Sequence, residues 1–252
     1  MHIAQNKLVV LVTRPQQQTR GLCQQLQQRG IASLALPMIQ IAPLEPDESL
    51  LTQLNKDLNH PMLLFISANA VHQAAGWIHK SILAKETCIA VIGKATARAA
   101  EDVFGKVDIQ TQDHLSSTSE SLLQHPQLQQ LQSRPVFIFK GEGGRTLLTD
   151  TLRQRGADVR EIVVYHRQAI DYSAKELEKN LQQASVILAT SGEILQAIQR
   201  QFSPWAKSLR QKPLLVLSQR IQQLAVKNGF KQVWVTEQAS DEGIINALKL
   251  VN

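Results

Sequence analysis

Cysteine is almost missing from the sequence, which has Cys23 and Cys88 and no others. No CxxC pair occurs, and the seven histidines fall into no HExxH or Cys/His ligand spacing, which argues against a structural metal. Cys23 lies in an amphipathic helix pattern and Cys88 where a strand begins, so both read as buried free thiols. Aromatic residues are scarce at 4%, and the core has to come mostly from Leu, Val, Ile and Ala. Long apolar runs are missing as well. The opening "MHIAQNKLVVLVTRP" reaches only five apolar residues before Thr13 and Arg14, too short for a signal peptide or a membrane span. No later run approaches membrane length, and the expectation is a soluble, cytoplasmic protein.

Acidic residues are in deficit, 21 against 27 Lys and Arg, which leaves a net charge of +6. That excess points to an anionic partner and fits nucleic acid, a phosphorylated metabolite or a polycarboxylate alike. Basic residues are dispersed and no helix-turn-helix signature occurs, so net charge alone supports a DNA-binding reading.

What the chain has is size and internal repetition. At 252 residues and 43% hydrophobic content it can bury the core of two domains, or of one large one. "VLVTRPQQQTRGLCQQLQQRG" (10–30) matches "VFIFKGEGGRTLLTDTLRQRG" (136–156). One constant offset pairs Gly30 with Gly156, Arg29 with Arg155, Leu26 with Leu152 and Leu22 with Leu148. Each copy is a buried strand, a turn, a helix with leucines four apart, and an Arg-Gly stop. "MLLFISANAVHQA" (62–74) pairs with "SVILATSGEILQA" (185–197), and "CIAVIGKATARAAEDVFG" (88–105) with "PLLVLSQRIQQLAVKNGF" (213–230). Three β-turn-α units, written twice, predict parallel sheets covered by helices on both faces. Composition puts the default cut in the Gln-rich stretch "HPQLQQLQSRP" (125–135), although tandem repeats need not be contiguous domains. "LALPMIQIAPL" (34–44) and "EIVVYHRQAID" (161–171) are each long for one strand, so each could run from one domain into the other and floor a cleft.

"KGEGGRT" (140–146) lies between a strand and a helix, where phosphate cradles are found. It is not one by pattern. Walker A has no match, and G-x-G-x-x-G fails because Thr146 stands at the third glycine. The corresponding turn of the other copy, "TRPQQQT", carries no glycine at all. A nucleotide-dependent enzyme is therefore poorly supported. A non-catalytic two-lobed binding protein for a small polyanion would show the same repeat.

Six segments, in order and with family spacing, carry a resemblance: "LVTRP" at the start, "SANAV" (67–71), "VIGKATA" (91–97), "KGEGGR" (140–145), "VVYHR" (163–167) and "QASDEGIINAL" (238–248). Together they resemble the uroporphyrinogen-III synthase family over almost the whole chain. The resemblance implies two doubly wound parallel-sheet α/β domains (Rossmann or flavodoxin-like) with an interleaved chain. One would take residues 1–36 and 169–252, the other 41–164, with 37–40 and 165–168 as a two-stranded hinge. It implies cyclisation of hydroxymethylbilane with loss of water and inversion of ring D, as a step in haem biosynthesis. No cofactor, metal, nucleic acid or membrane would be involved. The enzyme would be a monomer, with its substrate handed over by the upstream enzyme that produces hydroxymethylbilane.

The substrate of that reaction carries eight carboxylates, which suits a basic host. Tyr165 matches the family's functional tyrosine in a "VYxR" pattern and is the expected general acid, since a phenol keeps its proton at neutral pH and can donate it. Ser67 and Ser191 follow strands at expected helix starts, where free N–H groups cap the helix or face an anion. Thr96 matches the family threonine of "IGxxTA". Arg14, Lys140, Arg145 and Lys212 are expected to add positive charge near the site. One departure stands out: "LSQRIQ" (217–222) has Ile221 where the family carries a second threonine, leaving Ser218 or backbone N–H groups to substitute.

Overall fold

The computed structural model describes residues 8–55, 60–78, 83, 86–111, 118–144 and 146–249. Its strands are β1 (Val9–Val12), β2 (Ala32–Ala35), β3 (Ile39–Pro43), β4 (Met62–Phe65), β5 (Cys88–Val91), β6 (Ile109–Gln110), β7 (Pro135–Gly141), β8 (Asp158–Ala169), β9 (Val186–Ala189), β10 (Leu214–Val216) and β11 (Val233–Val235). Every residue of β4, β5, β9 and β10 is buried, as a parallel strand covered on both faces requires.

The chain divides into two compact units, Met1–Gln40 with Gln168–Asn252, and Ile41–Arg167. The division does not fall in the Gln-rich stretch. Instead the chain passes between units inside β3 and inside β8. The segment 34–44 is not one strand: β2 ends at Ala35 and β3 starts at Ile39. Pro37, which has no N–H to give a ladder, stands in the gap, flanked by Leu36 N–H on Val12 O and Met38 N–H on Thr13 O.

The first unit's sheet runs β11-β10-β9-β1-β2, all parallel. The second runs β3-β8-β7-β4-β5-β6, parallel from β8 to β6. At its edge, β3 runs antiparallel to β8: Leu44 N–H donates to Val164 O at one end and Ile170 N–H to Met38 O at the other. The sequence repeat matches β1 with β7, β2 with β8, β9 with β4, β10 with β5 and β11 with β6. Substituting one set for the other turns the five-strand order into that of the second sheet without its edge strand β3. The duplication is thus preserved in space although the chain enters the two sheets at different strands.

Alternation along the strands feeds a core on each face. Leu11 packs with Leu195, Ile198 and Phe202 on one face of the first sheet, while Val10 and Val12 pack with Leu22, Leu26 and Ile245 on the other. In the second sheet Phe65 stacks on Phe139 at 4.7 Å and on Phe104 at 5.2 Å between ring centroids. These rings are half of the six phenylalanines in the chain, while Phe202 and Phe230 lie in a core of the first sheet.

The repeated helices end alike. Gly30 and Gly156 take φ of 73° and 89°. Gly30 N–H bonds Gln27 O and Ile31 N–H bonds Leu26 O, and the second copy repeats this with Gly156 on Arg153 and Ala157 on Leu152. This is the paired closure that a left-handed residue after the helix permits. A Cβ at Gly30 would meet nothing within 4 Å, whereas at Gly156 it would lie 3.3 Å from Gln132 N. Gly30→Ala is expected to cost about 1–2 kcal/mol for the backbone conformation alone, and Gly156→Ala to cost more. Urea unfolding of the two variants, followed by circular dichroism, measures the difference.

Candidate functional site

Parallel strands joined by crossover helices place all their strand-to-helix turns at one edge. In the first unit the chain leaves β1 toward β2 and leaves β9 toward β10, which lies on the other side. Two adjacent turns therefore diverge and leave a crevice at the carboxyl end of the sheet, the place where open α/β sheets bind ligands. β7 and β4 diverge in the same way in the second unit.

In the second unit this point holds Ser67, Gly141 and Tyr165. Ser67 caps helix Ala68–Ala74, its Oγ accepting Ala70 N–H at 3.2 Å. The same oxygen lies 3.1 Å from the Tyr165 hydroxyl. Arg167, two residues along β8, reaches that hydroxyl at 3.4 Å, with its guanidinium 5.6 Å from the ring centroid. Tyr165 is 1% exposed while Arg167 is exposed, so a solvent-facing cation lies over a buried phenol. Gly141 completes the pocket: a Cβ there would come within 2.5 Å of Tyr165 Cε2.

The sequence has two tyrosines. Tyr172 donates to Pro37 O at 2.8 Å, which commits its proton to the backbone. Burial, with Glu176 nearby, also pushes it above the ordinary tyrosine value. The Tyr165 hydroxyl, by contrast, can either donate to Ser67 Oγ or accept from it, and no backbone carbonyl among the described residues takes its proton.

A family model described as Uroporphyrinogen-III synthase HemD matches residues 21–246. Uroporphyrinogen-III synthase of Escherichia coli (strain K12) is 31% identical over 246 residues, covering 95% of this chain and 99% of that protein. The chain belongs to the uroporphyrinogen-III synthase family. The enzyme of Salmonella typhimurium is 28% identical, covering 95% and 99%. Among solved structures, uroporphyrinogen-III synthetase from Helicobacter pylori gives a TM-score of 0.64 at 14% identity, covering 98% of this chain and 100% of that one. The synthase from Thermus thermophilus, as a mutant, gives 0.61 at 16% identity over 97% and 98%. At those identities the likeness shows that the fold is shared.

Not every residue expected at a synthase site stands open to ligand. Ser191 and Ser218 cap helices Gly192–Gln201 and Gln219–Lys227 at the carboxyl edge of the first sheet, accepting Ile194 N–H at 3.1 Å and Ile221 N–H at 3.4 Å. Thr96 is buried in the first turn of helix Lys94–Phe104, with no hydrogen bond to its hydroxyl among the described residues. Ile221, in the place of the second threonine, is 4% exposed and belongs to the apolar core.

The cations depart from expectation. Arg14 is drawn inward, pairing with Asp241 at 2.8 Å and donating to Gln18 O at 3.1 Å, which ties the start of helix Gln16–Gln28 to that of helix Asp241–Lys249. Lys212 donates to Ala184 O at 2.6 Å just before β10 and β9 begin, at the amino edge of the sheet and away from the crevice. Lys140 is 6% exposed and pairs with Glu161 at 3.0 Å. Arg145 lies outside the described residues. Arg167 and Gly141 were missed in the sequence, although "VYxR" already places Tyr165 and Arg167 two apart on one strand. Among the described residues no group of three His, Cys, Asp or Glu could hold a metal ion, and no helix is long and apolar enough to cross a membrane.

Glu161 accepts from Lys140 and from the Thr149 hydroxyl. Burial pushes its carboxyl up, but these bonds and the charges of Lys140 and Arg153 outweigh burial and hold it below its ordinary 4.5. A carboxyl depressed on folding adds stability above its unfolded value, and that stability is lost as pH falls through the folded value. Acid titration of stability should show this loss below about pH 4.5, and Glu161→Gln should remove it while lowering stability at pH 7. Identical acid profiles for the two proteins would contradict the assignment.

Proposed function

We propose that the protein converts hydroxymethylbilane to uroporphyrinogen III, with Tyr165 as the general acid. The observation that carries this reading is the Tyr165 hydroxyl held 3.1 Å from Ser67 at the point where the turns after β4 and β7 diverge. A pyrrole nitrogen of the substrate can expel the hydroxyl of the adjacent hydroxymethyl group if the departing oxygen gains a proton. Tyr165 O–H supplies it, and water leaves. The electrophilic carbon that remains is attacked by the already substituted carbon of the distal ring, and the spiro intermediate fragments and recloses with that ring reversed.

The neighbours of the phenol suit the task. Ser67 Oγ already accepts a backbone N–H, so its hydrogen is left to turn toward the phenol oxygen as charge develops there. The phenol proton is then free for the substrate. Because Tyr165 is buried, a neighbour has to move before its hydroxyl meets the substrate. Arg167 is exposed and stacked over the ring, and a substrate carboxylate offers its guanidinium a bidentate destination. Each unit has helix starts whose free N–H groups favour anions, those capped by Ser191 and Ser218 in the first and by Ser67 in the second. Direct head-to-tail closure competes with ring inversion, so holding one folded conformation is the larger part of the work, worth roughly 7–11 kcal/mol where positioning is good. The same reading makes the protein a cytoplasmic monomer without cofactor, supplied by the enzyme that makes hydroxymethylbilane.

Incubation with enzymatically made hydroxymethylbilane should give the type III isomer. Isomer I alone would return the protein to the class of polyanion binders. Tyr165→Phe should fold normally and lose about 10²-fold or more in kcat, the lower range for general acid catalysis. Activity within about threefold of the parent protein would remove Tyr165 from the acid role. Arg167→Ala should raise KM more than it lowers kcat, since a carboxylate clamp acts in the ground state and the transition state alike.

A further inference from the structure

We infer that Gly141 is a positioning residue for the ring-closing reaction, providing with a one-residue bulge in β8 the seat in which the Tyr165 hydroxyl meets Ser67. This inference rests on Tyr165 being the acid. The pairing of β7 with β8 is regular from Pro135–Asp158 to Lys140–Val163, then slips, and Gly141 pairs with Tyr165. Val164 is the extra residue. Strands alternate faces, so an unbroken β8 would put Tyr165 on the side of Val163, which is 36% exposed, and of Glu161. The slip turns Tyr165 over to the face of Phe65, Phe139 and Ile162 and of the helix that Ser67 caps. Bulges re-aim side chains in this way.

Once turned, the ring lies directly on residue 141. A Cβ there would stand 2.5 Å from Cε2, 2.6 Å from Cζ and 2.9 Å from the hydroxyl oxygen of Tyr165. The φ of Gly141 is not in the left-handed region, unlike those of Gly143 and Gly144 in the same loop, at 73° and 98°. Its backbone would accept any residue, so what this position requires is space for the phenol. An alanine would push the ring away by about 1 Å to restore ordinary contact, and a displacement of that size can cost on the order of 10²-fold in rate. The first glycine of "KGEGGR" thus serves the tyrosine of "VVYHR", across two segments that the sequence leaves unconnected.

The test is a double-mutant cycle on the whole protein, with kcat and KM measured for the parent, Gly141→Ala, Tyr165→Phe and the double variant. Gly141→Ala should lower kcat by about 10–10²-fold and leave KM within about threefold. In the Tyr165→Phe background, where there is no hydroxyl to misplace, the same change should alter kcat by less than about twofold. Equal losses in both backgrounds, or a near-parental Gly141→Ala, would overturn the inference. A near-parental Tyr165→Phe would instead overturn the acid reading beneath it. If Gly141→Ala does not fold, urea unfolding of Gly141→Ala in a Tyr165→Leu background decides. Tolerance of alanine once the ring is gone supports the contact, and intolerance refutes it.

Discussion

A parallel strand cannot be joined to its neighbour by a hairpin, and the rest of this molecule follows from that constraint. Every return has to cross a face of the sheet, so helices cover both faces and the strands between them become continuous apolar runs. Every strand-to-helix turn then falls at the same edge, where unpaired helix N–H groups and polar turn residues meet. Ser67 at that edge of the second sheet, and Ser191 and Ser218 at that of the first, cap three helices and accept N–H groups at 3.1–3.4 Å. The caps are needed for the fold whatever the protein binds. Their position makes them available to a ligand.

Tyr165 reaches this edge by another route. It does not sit in a turn but in a strand that continues past the sheet's last regular pairing. Its hydroxyl is set by three independent elements: the bulge in β8, the missing side chain at Gly141 and the cap of helix Ala68–Ala74. A phenol buried to 1% exposure and hydrogen-bonded to a capping serine has little rotational freedom, which suits the acid role proposed for it.

The repeat, the parallel strands, the Arg-Gly helix stops and the serine caps were legible in the sequence because each is a local pattern with a local cause. The resemblance supplied the interleaving of the chain, which composition alone would have cut at 125–135. Long-range partners were not legible. Arg14 and Lys140 look like free cations in sequence, but Asp241 and Glu161 neutralise them in the fold. Lys212 stands next to a strand, as a rim residue should, yet at its amino end. Nor does alternation along "EIVVYHRQ" reveal the bulge, because both Val164 and Tyr165 are apolar enough to be buried. What decides the face of Tyr165 is its neighbour in β7.

The interleaved strand order also bears on how the chain is made. The unit spanning Ile41–Arg167 is contiguous, so its parallel strands can all assemble once that stretch has been synthesised. The other unit cannot. β1 pairs on one side with β2, close behind it, but its second partner is β9, which follows the whole of the intervening unit. Until β9 emerges, one hydrogen-bonding edge of β1 is open, and Leu11 lacks the cover of Leu195, Ile198 and Phe202. Loop closure over that distance is slow, and an open edge of this kind is where nascent chains associate wrongly. The sheet of the first unit is therefore complete only after the contiguous unit has been made, and β1, which precedes every other described strand, waits longest for its second partner.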